Sequence, residues 1–357
     1  MKKVAKSIGE REGARSLRDE TPRKSMIVPR GSDSPPDTGV RRRASGAIEL
    51  YCPFESGLNA HVEEVQQESV AWAYRFGMIK EEHRAKLHQS KIAWLPARGF
   101  PSAERDVLQL AADWTTLFCL LDDRIEIREA DPVGLSAFFL QLLTAFETGS
   151  PGAERDPLAE GLADLQHRMS RLASPTLVKR FSQVFRELLG GFLWEEVNRW
   201  KLVRPNRDAY RTMRQITVGL RPQFVLGEIA AGIELAPDVR SHGDIATLES
   251  LTCHAIGWAN DIFTCAKEFG QDHAHNIVLL VMDEETSPLA AVARRIADGH
   301  DELIRTFEST ERGLPHRLAH SEDVQAYISV LRYWIRGHLD WAVETGRYDG
   351  LAPVKST

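Results

Sequence analysis

Apolar residues recur at three- and four-residue spacings along the chain from about Leu50 onward. The spacing is clearest in four segments, HVEEVQQESVAWAYRFGMI, FFLQLLTAF, VKRFSQVFRELLGGFLWEEV and VQAYISVLRYWIRGHLDWAV. It places the apolar side chains on one face of an α-helix, whereas the strict alternation of a half-buried strand is hard to find. The pattern therefore predicts an all-α protein.

Helix-breaking residues separate these segments. They occur at Arg98-Gly99-Phe100-Pro101, Gly149-Ser150-Pro151-Gly152, Val203-Arg204-Pro205, Ser287-Pro288 and Leu314-Pro315. Short loops at these points would connect ten or so helices. The absence of a fixed-period repeat favours a closed bundle over a helical solenoid.

The first 46 residues differ from the rest, because they mix charges with Ser, Gly and Pro and show no sustained apolar periodicity. This composition is typical of disorder. We therefore predict a disordered basic tail over residues 1–46, one helical domain over residues 47–350 and a short C-terminal tail over residues 351–357. A large bundle can bury that much chain in a single core.

Charge is distributed unevenly along the chain. Residues 1–48 contain 12 Lys and Arg against 6 Asp and Glu, a net charge of +6. Because the whole chain carries −6, the remainder carries −12. A DNA-binding regulator needs a basic body, and we expect no nucleic-acid partner. The run Arg41, Arg42, Arg43 in the tail is assigned no function.

The cysteine spacing and the hydropathy bear on location. Cys52, Cys119, Cys253 and Cys265 form no CxxC pair and no zinc-binding spacing, which fits free thiols in a reducing cytosol. No segment approaches the roughly 18–20 apolar residues of a membrane span, and the N-terminus lacks the apolar core of a secretory signal. We expect a cytoplasmic protein.

An acidic cluster follows an apolar helix in the segment AADWTTLFCLLDDRIE. The step from Asp122 to Glu126 places both carboxylates on one helix face, about 40° apart, with Asp123 beside them. Magnesium is usually held by one or two carboxylates together with substrate phosphate oxygens. Three such positions should occur by chance about once in a chain of this composition, so the cluster is weak evidence by itself.

The segment WANDIFTCAKE gives a more specific signal. Asn260, Thr264 and Glu268 follow one another at four-residue intervals, so three oxygen donors share one helix face within about 80°. Asn and Thr are poor helix formers without an evident reason to lie inside a helix. The pattern should arise by chance on the order of once in a hundred such chains.

With these two motifs the chain resembles the microbial class I terpene cyclases, whose metal-binding signatures are DDxx(D/E) and (N/D)Dxx(S/T)xxxE. The segments from Asp122 to Glu126 and from Asn260 to Glu268 match them, 138 residues apart as in the family. Further matches are Pro53-Phe54, Asn59-Ala60-His61, Trp194-Glu195, Asn198-Arg199, His275-Asn276, the run Trp334 to Trp341, and Arg347-Tyr348. The resemblance covers about residues 50–350.

The resemblance implies a single-domain class I terpenoid synthase bundle around a deep apolar cavity, in which an allylic isoprenoid diphosphate is ionised and its carbocation cyclised. It implies three Mg²⁺ ions, two of them on the aspartate-rich side. There the candidate ligands are Asp122, the principal one, with Asp123 and Glu126. The third ion would be held by Asn260, Thr264 and Glu268. The family often forms homodimers.

The same resemblance implies that Arg347 and Tyr348 bind diphosphate at the mouth of the cavity and that Lys267 adds a charge. Arg214 lies 46 residues before Asn260, the spacing of the family's diphosphate-sensing arginine. The residues Thr217-Val218-Gly219 lack the Asp-Gly pair that some members have after this arginine.

Aromatic faces can stabilise carbocations by about 0.5–2 kcal/mol each without attacking them. The candidates are Trp114, Phe118 and Trp341. Trp341 is favoured because it precedes Arg347 by the family's six-residue step, whereas Trp114 and Phe118 are equally compatible with the plain core.

Two alternative functions and two alternative substrates remain at this point. An isoprenyl diphosphate synthase is disfavoured because it would carry a second aspartate-rich motif. A non-enzymatic helical scaffold would leave Asn260, Thr264 and Glu268 as coincidences. Farnesyl diphosphate, giving a sesquiterpene hydrocarbon or alcohol, is the expected substrate, with geranyl and geranylgeranyl diphosphate open.

Overall fold

The computed structural model describes residues 48–127, 131–270, 275–348 and 354–356, all within one compact unit. Side chains are described in these ranges except at residues 126, 127, 348 and 354–356. The predicted disordered tail, residues 1–46, lies outside the described residues. Within the described part of the chain, no helix is long and apolar enough to cross a membrane.

Helices make up most of the described chain, as the sequence predicts. The first seven are α1 (Val62–Arg75), α2 (Arg84–Gln89), α3 (Trp94–Gly99), α4 (Arg105–Ile127), α5 (Pro132–Thr148), α6 (Pro157–Leu172) and α7 (Pro175–Trp200). They are followed by α8 (Arg207–Thr217), α9 (Leu220–Ala231), α10 (Pro237–Arg240), α11 (Gly243–Glu268), α12 (Ile277–Glu285), α13 (Leu289–Arg312), α14 (His316–Ala319) and α15 (Glu322–Ala342). Two 3₁₀ turns cover Glu81–His83 and Gly346–Tyr348.

The all-α prediction is confirmed, and its predicted breaks separate successive helices. The described residues contain more helices than the ten or so expected, because α2, α3, α10 and α14 have only four to six residues. Segments that short cannot show a helical period in the sequence.

A short strand pair is the exception to the helical fold. β1 (Ile48–Leu50) pairs in parallel with β2 (Val354–Ser356), with Ile48 opposite Val354. Residues 354–356 belong to the stretch that the sequence assigns to a C-terminal tail. Three residues are too few to reveal a strand by alternation.

Side-chain caps fix where several helices begin. Asp131, Asp156 and Ser174 accept hydrogen bonds from the first free N–H groups of α5, α6 and α7, each followed by proline at the first position of the helix. Asn206 and Asn276 cap α8 and α12 in the same way. Such caps stabilise a helix by about 1 kcal/mol each.

α11 forms the centre around which the second half of the chain packs. It lies against α8, α12, α13 and α15, and nearly all residues from Thr252 to Cys265 are buried. Polar groups on this helix therefore have a backbone held by packing on several sides. This gives the motif on its last turns a rigid support.

Candidate active site

The acidic pair lies on the last turns of α4. Asp122 and Asp123 are partly buried, while the side chain of Glu126 falls outside the described side chains. Arg347 Nη2 donates a 3.1 Å hydrogen bond to Asp123 Oδ1, across 224 residues of sequence. The structure thus brings the predicted diphosphate-binding turn against the predicted metal-binding carboxylates. The side chain of Tyr348 lies outside the described side chains.

Arg124, inside the same motif, serves a different purpose. Its guanidinium donates two hydrogen bonds of 3.1 and 2.8 Å to Asp156 and lies 4.4 Å from the centre of the Phe138 ring. It therefore ties α4 to the start of α6 and to α5. This explains how the motif can hold an arginine between its carboxylates without neutralising them.

The second motif lies on one continuous helix, as its spacing predicts. Thr264 is buried, and Asn260 and Glu268 are partly exposed along the same face of α11. Lys267, beside Glu268, is exposed on the last turn. The structure thus places three oxygen donors of different chemistry in a row at the carboxyl end of α11.

Asn276 joins two of these donors. Its side-chain amide nitrogen lies 3.3 Å from Thr264 Oγ1 and 3.1 Å from Glu268 Oε2, and it donates a 2.9 Å bond to the carbonyl oxygen of Asp261. The oxygen of the same side-chain amide accepts a hydrogen bond from Val278 N and so caps α12. Asn276 was quoted above as a match to the family without a role. The cap pattern, an asparagine before an apolar helix, was the signal for its position.

His275, directly before Asn276, contacts two residues of α7. Its ring lies 5.4 Å from that of Trp194, edge to face, and its Nε2 lies 3.4 Å from Asn198 Nδ2. Three residues quoted above as separate matches to the family thus meet at one place beside the motif.

Arg214, singled out by its 46-residue spacing from Asn260, lies on α8 and contacts α11. Its Nη2 donates bonds of 2.8 Å to Asn260 Oδ1 and 2.9 Å to Asp261 Oδ1. Its Nε is buried and has no hydrogen-bond partner among the described residues. The guanidinium thus contacts the first donor of the motif and retains an unused N–H.

Asp261, which the sequence did not single out, is the buried link between three helices. It accepts hydrogen bonds from Arg214 of α8, from the hydroxyl of Tyr210 and from Ile277 N at the start of α12. Burial raises the pKa of its carboxyl to about 6, against the opposing effect of the Arg214 charge. The burial of Asp261, next to the helix face that carries the motif, could not be predicted from spacing alone.

The donors on α11 fit a hard divalent cation. An amide, a hydroxyl and a carboxylate oxygen are ligands that magnesium accepts, and Asn276 orients two of them as an outer-shell donor. Among the described side chains, no three His, Cys, Asp or Glu residues cluster as a metal site. This is expected, because the α11 set contains one carboxylate and the Glu126 side chain is not described.

The three aromatic candidates have different surroundings. Trp114 is buried edge-on between Phe181 and Phe185, at 4.8 and 5.3 Å between ring centres, and so belongs to the core. Phe118 lies one turn before Asp122 and packs so closely on Gly219 that a Cβ there would come within 2.6 Å of its ring.

Trp341 is buried. It lies on α15, and its Nε1 donates a 2.7 Å hydrogen bond to the carbonyl oxygen of Lys91. This bond fixes the orientation of the indole. The surroundings of Trp341 thus differ from those of Trp114, whose indole N–H has no hydrogen-bond partner among the described residues.

His338 was not predicted as a site residue. Its ring lies 6.2 Å from that of Phe263 and 6.3 Å from that of Trp341, and it is buried. Burial, with the nearby charge of Arg214, lowers the pKa of its imidazole to about 3. His338 is therefore neutral, and its Nδ1 has no hydrogen-bond partner among the described residues.

Comparison with known proteins decides the family. Residues 113–306 match the family described as terpene synthase family 2, C-terminal metal binding. The chain belongs to this terpene synthase family. The match begins at Asp113 on α4 and includes both predicted metal motifs, Asp122 to Glu126 and Asn260 to Glu268.

Two relatives of this terpene synthase illustrate the similarity. The chain is 30% identical over 307 residues to a (+)-T-muurolol synthase from Roseiflexus castenholzii, covering 84% of this chain and 93% of that protein. It is 27% identical to a germacrene A synthase from Nostoc punctiforme, covering 86% and 97%. The similarity therefore extends over nearly the whole length of these enzymes.

Solved structures agree. A protein from ancestral sequence reconstruction, SVS_A2, superposes with a TM-score of 0.75 at 25% identity, covering 82% of this chain and 89% of that one. An α-eudesmol synthase shares the fold with a TM-score of 0.74 at 19% identity, covering 83% and 98%. The predicted class I terpenoid synthase fold is confirmed.

The family also fixes the general chemistry. A terpene synthase is a lyase that releases diphosphate, and the matched domain is the one that binds divalent metal. The prediction of an enzyme of this class is confirmed. An isoprenyl diphosphate synthase and a non-enzymatic scaffold, the other classes considered from the sequence, are not favoured.

Proposed function

We propose that this terpene synthase converts farnesyl diphosphate into a cyclic sesquiterpene hydrocarbon or alcohol. The relative from Roseiflexus castenholzii is named for cyclising (2E,6E)-farnesyl diphosphate, and so is a 4-epi-cubebol synthase at 27% identity. The observation that carries the proposal is the convergence at the end of α11. There Asn260 contacts Arg214, while Thr264 and Glu268 contact Asn276.

Two groups of side chains would hold three Mg²⁺ ions. Asp122, Asp123 and Glu126 would hold two of them, and Asn260, Thr264 and Glu268 the third. When bound, the metal neutralises the negative charge of the diphosphate, so that it can leave with the electrons of the carbon–oxygen bond. We propose that residues 47–350 form the catalytic domain, which contains all of these groups.

Arginines would bind the diphosphate itself. Arg347 would exchange its contact with Asp123 for diphosphate oxygens, assisted by Tyr348 and by the charge of Lys267. Arg214 would offer the Nε–H that has no partner among the described residues. A planar, permanently charged guanidinium suits this purpose, because it donates two parallel bonds to one anion.

The hydrocarbon chain would lie on the apolar side of these groups. Phe118, one turn below Asp122, and Trp341, fixed through Lys91, would stabilise the cation with their aromatic faces. Closely packed apolar side chains exclude water, which would otherwise capture the cation before it cyclises.

The proposal is tested by incubating the protein with geranyl, farnesyl and geranylgeranyl diphosphate and Mg²⁺. Volatile products are identified by gas chromatography and mass spectrometry, and released diphosphate is counted. We expect the highest kcat/KM with the fifteen-carbon substrate. Preference for another length would refute the substrate alone, whereas no product and no diphosphate from any of them would refute the enzyme activity.

A further inference from the structure

Gly257 lies in the middle of α11, where a glycine is unfavourable. In a helix interior it costs roughly 0.5–1 kcal/mol relative to alanine. No positive φ requires it, since Gly257 has an ordinary helical backbone within Gly243–Glu268. The reason for a glycine at this position must therefore lie in what packs against it.

The space that a side chain would occupy at Gly257 is taken by Arg214. A Cβ at Gly257 would lie 3.1 Å from Arg214 Cγ, 3.3 Å from its Nε and 3.7 Å from its Cδ. The first two distances are shorter than ordinary van der Waals contacts. The stem of Arg214 thus lies flat against the bare backbone of α11.

The guanidinium of the same arginine binds α11 close to this contact. Arg214 Nη2 reaches Asn260 and Asp261, three and four residues further along α11, at 2.8 and 2.9 Å. Gly257 and Asp261 are one turn apart on the same helix face. A methyl group at Gly257 would lift the stem by a few tenths of an ångström and strain both bonds.

We propose that Gly257 is a positioning residue, which by lacking a side chain seats Arg214 against α11 and so sets the affinity of the enzyme for diphosphate. The inference rests on the proposed function of Arg214 as a diphosphate ligand. The buried Nε–H, which has no partner among the described residues, is the donor whose direction the contact fixes. An incoming diphosphate oxygen would accept it.

The chain offers a matched control. Gly190 lies inside α7, and a Cβ there would meet nothing within 4 Å. Gly190→Ala therefore makes the same chemical change in a helix interior without a packing consequence. Gly190→Ala should leave the thermal midpoint unchanged or raise it, whereas in Gly257→Ala the strain on Arg214 opposes this gain.

The experiment measures the affinity of Gly257→Ala, Gly190→Ala and the unmodified enzyme for inorganic pyrophosphate in saturating Mg²⁺ by calorimetry, with KM and kcat for farnesyl diphosphate. We expect Gly257→Ala to weaken pyrophosphate binding and raise KM by about tenfold, the loss of one charge-assisted hydrogen bond. Gly190→Ala should bind like the unmodified enzyme. Unchanged pyrophosphate affinity in Gly257→Ala would overturn the inference.

A double variant shows whether Gly257 acts through Arg214. In the Arg214→Ala background, Gly257→Ala should cause no further loss of pyrophosphate affinity, and an equal loss in both backgrounds contradicts the inference. If Gly257→Ala does not fold while Arg214→Ala does, the double variant should fold because it lacks the clash, and failure of the double variant to fold is also contrary evidence. If the unmodified enzyme binds pyrophosphate but converts no isoprenoid diphosphate, the proposed function fails while this test still decides the role of Gly257.

Discussion

Asn276 donates a 3.1 Å hydrogen bond to Glu268, the last oxygen donor on α11, from its position at the start of the next helix. The same amide lies 3.3 Å from Thr264. Two proposed metal ligands thus depend for their orientation on one side chain that is itself fixed as a helix cap. Outer-shell partners of this kind commonly determine metal affinity.

Asn276→Asp separates the two tasks of this residue. The carboxylate can still cap α12 through Val278, but it cannot donate to Thr264 or to the carbonyl oxygen of Asp261, and it faces the charge of Glu268. We expect the apparent affinity for Mg²⁺ to fall about 10–100-fold. The measurement is a Mg²⁺ titration of diphosphate release. Asn206→Asp, at the exposed cap of α8, is the control, and equal Mg²⁺ dependence of the two variants would contradict the expectation.

Removal of a ligand should be more severe. Asn260→Ala or Glu268→Ala should lower turnover of farnesyl diphosphate by on the order of a thousandfold, since the metal contributes several kcal/mol of charge stabilisation. Far-ultraviolet circular dichroism should remain unchanged, because both groups lie partly exposed at the end of α11. Thr247→Ala, an exposed position on the same helix, serves as control. Normal turnover in either ligand variant would refute the metal assignment.

Two arginines near the acidic pair should behave differently. Arg347→Ala should lower kcat/KM about a hundredfold, through the loss of two charge-assisted bonds to diphosphate. Arg124→Ala should leave KM unchanged and lower the thermal midpoint, because Arg124 contacts Asp156 and Phe138. Steady-state kinetics and thermal unfolding of both variants provide the test. If Arg124→Ala raised KM as much as Arg347→Ala, the proposed division between them would be wrong.

His338 should make the stability of the protein depend on pH. The folded imidazole, with its pKa lowered to about 3, stays neutral, whereas the unfolded one binds a proton below its ordinary pKa of 6.5. The unfolded state therefore binds more protons as the pH falls, and the folded state loses stability. From pH 7 to pH 5 this loss is about 2 kcal/mol for one such group.

Urea unfolding at these two pH values checks the linkage. His338→Asn has no imidazole at this site, so the unfolding free energy of the unmodified protein relative to the variant should decrease by about 2 kcal/mol between pH 7 and pH 5. A constant difference between the unmodified protein and His338→Asn would mean that the buried imidazole is not held neutral.

The parts of the site that the sequence predicts are those set by helical geometry. A four-residue step keeps Asn260, Thr264 and Glu268 on one face whatever surrounds α11. The family's 46-residue spacing singled out Arg214, although it did not indicate the contact with Asn260. The roles of Asn276 and Asp261 could not be predicted, because both depend on how the chain returns after α11 to begin α12.

Burial explains the other differences. Trp114 and Trp341 are both indoles on apolar helix faces, and periodicity treats them alike. Only the neighbours distinguish them: Phe181 and Phe185 enclose Trp114, whereas Trp341 donates to the carbonyl of Lys91. The neutral state of His338 likewise depends on packing between helices that are far apart in sequence.

The pairing of β1 with β2 can form only near the end of synthesis. Residues 48–50 leave the ribosome early, but their partner strand, Val354–Ser356, is synthesised some 300 residues later, which takes on the order of half a minute. The turn that carries Arg347 lies between α15 and this late strand. A nascent chain can therefore form most of the bundle before the β1–β2 pair closes, and the turn with Arg347, the proposed diphosphate ligand, is among the last parts to join it.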